Sequence, residues 1–263
     1  MNIKTNKEIR QTAYNSLTDN WGPAVVNTLI IAIVSYLITS IINTIASTFI
    51  SLSLPLIGSK PTIIQINNIL ICSLFLIAQS GFMVALLLQY RKKQNFDAKA
   101  LISFFKVPHL WATMLLVTIY LTIWGLVLII PTMTLSIFSC HFGHTPFFNI
   151  LLCISAIIVI IKSIEYVLVP FILHDYPNVQ YHKAIVQSVD MMKGYRWTFF
   201  KLLLSFTGWA ILSILTLGIG FLWLYPYVYT STAVFYEEIR NNYESKSTPK
   251  ENNSLTTNAD NVC

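Results

Sequence analysis

Four stretches of the chain contain no Asp, Glu, Lys or Arg: Gly22 to Ser59, Pro61 to Tyr90, Val107 to Ile161 and Leu202 to Tyr236. A membrane-spanning helix needs about 20 apolar residues, so each stretch is long enough to cross a bilayer. The stretch from Val107 to Ile161 holds 55 residues, about 80 Å as one helix, and a turn is expected near the Ser-Cys-His-Phe-Gly-His-Thr-Pro segment at 139–146. The stretch from Leu202 to Tyr236 contains Leu-Thr-Leu-Gly-Ile-Gly at 215–220, where Gly218 and Gly220 permit a tight reversal. Two short spans or a re-entrant hairpin both satisfy it. The pattern predicts an all-α polytopic membrane helix bundle over residues 1–240, with about six transmembrane helices near 23–49, 66–90, 110–137, 147–173, 198–217 and 219–238. From Asn241 onward almost nothing is apolar, and 241–263 is expected to be a disordered cytoplasmic tail.

Each odd-numbered span is preceded by a short amphipathic stretch ending near a tryptophan. Thr5-Asn-Lys-Glu8 has capping-box spacing, followed by Ile9, Ala13, Leu17 and Trp21 at four-residue intervals, one apolar stripe on a helix. Leu101, Phe104, Phe105 and Pro108 stand against Asp97, Lys99 and Lys106 before Trp111; Ile185, Val189 and Met192 stand against Lys183, Gln187 and Asp190 before Trp197. The expectation is three membrane hairpins, each preceded by a cytoplasmic amphipathic helix lying in the interface with its Trp at headgroup depth. A simple tendency of cytoplasmic loops to carry basic residues and a Trp is the alternative to a true threefold repeat.

Charged residues are only 11% of the 263 and apolar ones 55%, with a mean hydropathy of +0.63, against roughly 25% charged in soluble domains. The first apolar run far exceeds a signal-peptide core, so no cleaved targeting sequence is expected. With the N-terminus inside, 15 of the 17 Lys and Arg residues fall in cytoplasmic segments, leaving Lys60 outside and Lys162 in the membrane. That asymmetry places both termini in the cytoplasm. The net charge of +6 is then a topology signal pointing to anionic lipids at the cytoplasmic face, with no nucleic-acid partner implied.

Candidate chemistry is sparse. Lys162 and Glu165 lie within the fourth predicted span on one helix face. A lone charge at that depth costs about 2.5–3.5 kcal/mol, so the pair should face protein or water. A structural ion pair, a wetted cavity and a solute pathway are all compatible with it. Ser35, Thr39, Asn43 and Ser47 form a polar stripe on the first span that could pack helices or line a path. The expected membrane-interface anchors are Trp21, Trp111, Trp197, Lys193 and Arg196. Cys72, Cys140, Cys153 and Cys263 have no C-x-x-C spacing, and Cys140, His141 and His144 match no metal-ligand spacing. No metal or cofactor is expected. Gly218-Ile-Gly220 lacks the third glycine and the preceding strand of a phosphate loop and reads as a turn. Pro131, Pro170 and Pro226 fall inside spans, where they kink helices. No nucleophile, zinc or phosphate-loop signature is present, so no enzymatic activity is expected.

Asn6-Lys-Glu-Ile-Arg10, Asn20-Trp-Gly22, Asp175-Tyr-Pro177, Met191-Met-Lys-Gly194, Leu204-Ser-Phe-Thr-Gly-Trp209, Phe235-Tyr236 and above all Leu215-Thr-Leu-Gly-Ile-Gly-Phe-Leu-Trp-Leu-Tyr-Pro-Tyr227 carry a resemblance. Over roughly residues 4 to 240 the chain resembles a family of bacterial multi-pass integral membrane proteins known only as a domain of unknown function. That family is distantly similar to the membrane domain of some glycerophosphodiester phosphodiesterases, whose soluble catalytic domain is absent here. The resemblance implies a bacterial plasma-membrane location and supplies no catalytic residues. The functional expectation is a non-enzymatic membrane component that organises lipid or partner proteins. The alternative is a small-solute or ion transporter using Lys162 and Glu165.

Overall fold

The computed structural model describes residues 3–18, 20–53, 79–92, 116, 119, 145–177 and 179–247, and among them every regular element is an α-helix. In chain order these are α1 (Asn6–Leu17), α2 (Trp21–Ser53), α3 (79–92), α4 (Thr145–Tyr166), α5 (Val169–Asp175), α6 (Tyr181–Met192), α7 (Arg196–Leu204), α8 (Thr207–Leu215) and α9 (Phe221–Ser247). Of the predicted span 110–137 only residues 116 and 119 are described, both helical, and Trp111, Cys140, His141 and His144 lie outside the described residues.

Local chemistry explains the boundaries. Thr5 and Glu8 close the expected capping box at the start of α1: the Thr5 hydroxyl accepts from the Glu8 N–H, and the Glu8 carboxylate accepts from the Thr5 N–H at 2.7 Å. The fourth predicted span breaks after Tyr166, because Pro170 lacks an N–H and its ring crowds the preceding turn; the chain restarts as α5. Gly194, in the left-handed region at φ 85°, stops α6 one residue past its C-cap. The 215–220 reversal places Leu217 and Gly218 at positive φ (55° and 90°). Gly220 serves a different purpose there, since a Cβ on it would lie 2.6 Å from Ser213 Oγ and 2.7 Å from Ser213 Cα. The hairpin therefore closes by glycine at one position for conformation and at another for space.

α9 is the central post. α1 and α2 both pack on it, as do α6 and α8; α6 also meets α4 and α5, and α7 touches α1 and α4. The core is built from Ile9 and Ala13 of α1, Leu87 of α3, Phe171 and Ile172 of α5, Met192 of α6, Phe199 of α7 and Val234–Tyr236 of α9, all buried. Phe171 stacks on Tyr236 with ring centroids 5.1 Å apart, and Phe199 meets Phe235 at 5.0 Å. Burying each such apolar side chain is worth about 1.5–3 kcal/mol.

Two expectations change at this level. Ile9, Ala13 and Leu17 are fully buried, so the α1 stripe faces protein rather than lipid, and Trp21 is not its fourth member because the helix breaks at 18–20 and Trp21 opens α2. α9 continues to Ser247, so the first residues of the predicted tail are helical, and Asn242 is buried. One expected regularity is visible. α1 and α6 each have 12 residues, each is followed by a three-residue link, and the next helix opens at or one residue before a tryptophan.

Candidate functional site

Three helices run toward one charged cluster. Arg91, near the end of α3, forks onto the carboxylate of Asp175 at the end of α5, with Nη1 donating to Oδ1 at 2.6 Å and Nη2 to Oδ2 at 2.7 Å. Its Nε donates to Glu237 of α9 at 2.5 Å. From the same helix, the Tyr236 hydroxyl donates to Asp175 Oδ2 at 2.8 Å and Arg240 Nη1 donates to it at 2.9 Å. Arg240 Nη2 stands 3.4 Å from Glu237, and its Nε 3.5 Å from Glu244, the latter an ion pair without a hydrogen bond. Tyr176 donates to Glu244 at 3.1 Å. The N-terminal segment joins through Lys4, 2.6 Å from Glu238.

Two arginines therefore balance Asp175 and Glu237 in a site where the Asp175 side chain is only 10% exposed. Burial by itself pushes the Asp175 carboxyl up, but hydrogen bonds from Arg91, His174 and Tyr236 outweigh it and hold the group well below the ordinary carboxylate range. Burial likewise opposes the charge on Arg91 and Arg240, and the bonds to Asp175 and the charge of Glu237 keep both more firmly protonated. A carboxylate accepting from three side chains at short range is no free base. The arrangement is a clamp rather than a proton-transfer site.

The Lys162 and Glu165 pair lies within the last five residues of α4, not at mid-helix. Lys162 Nζ is 3.0 Å from Glu165 Oε2, and Arg196 Nη1, at the start of α7, is 3.1 Å from Oε1. The Ser188 hydroxyl, fully buried on α6, donates to the Glu165 backbone carbonyl at 2.6 Å. Glu165 thus pins α4, α6 and α7 together, with a 4% exposed carboxyl shared by two cations. Arg196, expected to reach for lipid, is spent on this bridge. Ser35 is half-buried on α2, and the side chains of Thr39 and Asn43 lie outside the described residues. Among the described residues no hydrogen bond joins Ser35 to the pair.

The other expected anchors divide. Trp197 is 65% exposed and stacks on Phe200, with Lys201 Nζ 5.9 Å from its ring centroid. Lys193 is exposed and pairs with Asp190 at 2.6 Å. Trp21 instead packs edge-on to Tyr227 at 6.2 Å and beside Tyr14 at 6.1 Å. These rings form the inner wall of an apolar slot of about 430 Å³, completed by Trp209, Leu212 and Trp223 of the α8–α9 hairpin.

The sequence reading missed both the clamp and the slot. Arg91, Asp175 and Arg240 are separated by 84 and 65 residues, so no local spacing could join them. The usable signal was positional: each sits at the end of an even-numbered predicted span. Among the described residues no group of three or more His, Cys, Asp or Glu could hold a metal ion, and Arg196–Leu215, α7 plus α8, is long and apolar enough to cross a membrane.

No curated protein and no solved structure matches the chain. A family model does, over residues 1–243, which takes in the slot and all of the clamp but Glu244; the chain belongs to the family described as "Protein of unknown function (DUF975)".

Proposed function

We propose that the chain is a multi-pass plasma-membrane protein with both termini in the cytoplasm, a non-enzymatic component that organises lipid or partner proteins from a clamped cytoplasmic face. The observation that carries the membrane reading is the surface of α2 and α4. Along α2, Val26, Ile30, Ile33, Leu37, Ile41 and Ile45 are exposed, and along α4, Ile150, Ile154, Ile157 and Ile160 are exposed. Helices of 33 and 22 residues that expose apolar side chains from 26 to 45 and from 150 to 161 have no stable place in water. α1 and α2 meet at 92°, the angle suited to a helix lying across a membrane face that leads into one crossing it.

Sidedness is supported by the clamp. The C-terminal ends of α3 and α5, the C-terminal half of α9 and Lys4 all meet there, as they would if the predicted even-numbered spans all end on the cytoplasmic side. Lipid contact is supported by exposed Lys183, Lys193, Lys201 and Trp197 on the α6–α7 corner. Glu165, held by two cations, supports a structural role for that pair over a transport pathway.

The test is flotation of the purified chain with vesicles after alkaline extraction, then vesicle binding of a Lys183→Gln, Lys193→Gln, Lys201→Gln variant. Co-flotation of the wild type, with weaker attachment of the variant to anionic vesicles, is expected. A wild type that stays at the bottom of the gradient refutes the membrane reading. A variant that binds anionic vesicles as the wild type does refutes the lipid role of that corner.

A further inference from the structure

The slot between α1, the start of α2 and the α8–α9 hairpin belongs to neither the clamp nor the Glu165 bridge. Its walls are aromatic and apolar, and its serine and threonine hydroxyls are already engaged: Ser213 Oγ donates to the Trp209 carbonyl at 2.8 Å, and Thr216 Oγ1 donates to the Ser213 carbonyl at 2.9 Å. Its size of about 430 Å³ falls within the roughly 300–1,000 Å³ of small-molecule pockets. One side opens onto the hairpin's bare apolar surface, where Trp209, Leu212 and Trp223 are 57%, 51% and 48% exposed. A hydrocarbon chain in the surrounding bilayer can enter there without crossing water.

Adjoining the slot's lining residues Tyr14 and Tyr227 is a cation with no carboxylate partner among the described residues. Arg10 lies one turn before Tyr14 on α1, and its backbone carbonyl accepts from the Tyr227 hydroxyl at 3.3 Å. Among the described residues no carboxylate pairs with its guanidinium, and its Nε is buried with no hydrogen-bond partner. The Nε of Arg196 and of Arg240 is likewise without a hydrogen bond, but both of those guanidiniums pair with carboxylates through their other nitrogens; a half-buried guanidinium with no carboxylate partner is unusual. Arg91 of the clamp, with all three nitrogens on carboxylates, shows the ordinary case.

We infer that this slot is a binding site for one anionic phospholipid, its acyl chain between Trp21, Trp209, Trp223 and Tyr227 and its phosphate on Arg10. The site rests on the membrane reading above and deepens it, assigning a particular lipid class to a particular pocket. A zwitterionic lipid would fill the same slot but would bring its own cation beside Arg10, so headgroup charge sets the preference. The indole N–H groups of Trp21, Trp209 and Trp223, which have no acceptor among the described residues, can serve the ester and phosphate oxygens.

The experiment uses the full chain in mild detergent, titrated with phosphatidylglycerol or phosphatidylcholine carrying brominated acyl chains, with quenching of tryptophan fluorescence as the readout. Quenching by phosphatidylglycerol should saturate at one lipid per chain and half-saturate at lower lipid than with phosphatidylcholine. Arg10→Gln should erase about fivefold of that preference, the effect of one basic residue at an anionic surface, and Arg10→Lys should keep most of it. Leu212→Phe, which fills the slot, should abolish saturable quenching by both lipids, with helical content by circular dichroism showing that each variant is folded. Equal quenching by the two lipids, or a preference that survives Arg10→Gln, overturns the site while leaving flotation untouched. Failure of the wild type to float overturns the membrane reading itself.

Discussion

Replacing Asp175 by Asn removes one of the two carboxylates that both arginines of the clamp share. The side chain keeps its size but loses its charge, leaving Arg91 and Arg240 with only Glu237 as a common counter-ion, at 2.5 and 3.4 Å. Breaking a buried, hydrogen-bonded ion pair from one side costs about 3–5 kcal/mol. Glu237 remains, and the arginine side chains keep 25% and 24% exposure, both of which soften the loss toward about 3 kcal/mol. For a chain of this size that is a fall in melting temperature of roughly 6–12 °C. The assay is thermal unfolding of the purified protein followed through its six tryptophans. Arg91→Gln added to Asp175→Asn removes the surplus positive charge, so the double variant should melt above the sum of the two single losses by about 1 kcal/mol or more of coupling. A single variant melting within about 2 °C of the wild type, or strictly additive losses, would refute the clamp as a unit.

Four further outcomes follow from the same geometry. Because Asp175 titrates below its unfolded value, its contribution is complete above about pH 4 and fades only as pH falls further; melting temperature should therefore differ between wild type and Asp175→Asn by the same amount at pH 8 and pH 5. Gly220→Ala should destabilise the hairpin by about 1–3 kcal/mol, and Ser213→Gly should not restore it fully, since the Ser213 Cα itself would stand 2.7 Å from the new methyl; full rescue in a melting assay would show that only the Ser213 side chain matters. Thr5→Ala should cost about 1 kcal/mol through the lost cap, read as the same thermal shift, and no shift would mean that α1 is held by its stripe alone. Glu165→Gln should lower melting by about 1–2 kcal/mol, the modest size of a bond shared with half-exposed cations, without changing solute flux across proteoliposomes; altered flux would reinstate the transport reading.

What the sequence revealed and what it hid divide by range. The α1 capping box and the 215–220 reversal rest on residues within six positions of one another, where backbone chemistry dictates the outcome, and both stand as expected. Ile9, Ala13 and Leu17 were legible as one stripe, but periodicity cannot say what a stripe faces: a helix surface buried on α9 and one buried in lipid have the same spacing. Lys162 and Glu165 were legible as a pair because they are three residues apart, whereas Arg196, which completes the bridge, is 31 positions from Glu165 and read as a lipid anchor. Pro170 was recognised as a kink, and the break it causes is what moves Glu165 to a helix end, within reach of α6 and α7. Long-range partners of this kind carry no local mark.

Charge pattern does hold some of that long-range information when combined with topology. If spans alternate direction, Arg91, Asp175 and Arg240, each just beyond an even-numbered span, must lie on one side of the membrane, and opposite charges confined to one face and flanked by apolar helices will find each other. On the proposed topology the clamp is the packing consequence of the same charge distribution that sets the orientation. In the same arrangement α3 and α5, whose ends meet at Arg91 and Asp175, both run toward the cytoplasmic face, with Lys60 outside and Lys99 inside. Single cysteines placed at Lys60 and at Lys99, in a chain whose native cysteines are replaced by serine, test this directly. Lys60→Cys should react with an impermeant maleimide added outside intact cells, and Lys99→Cys only after permeabilisation. Labelling of both positions from the same side would break the alternation and remove the topological reason for the clamp.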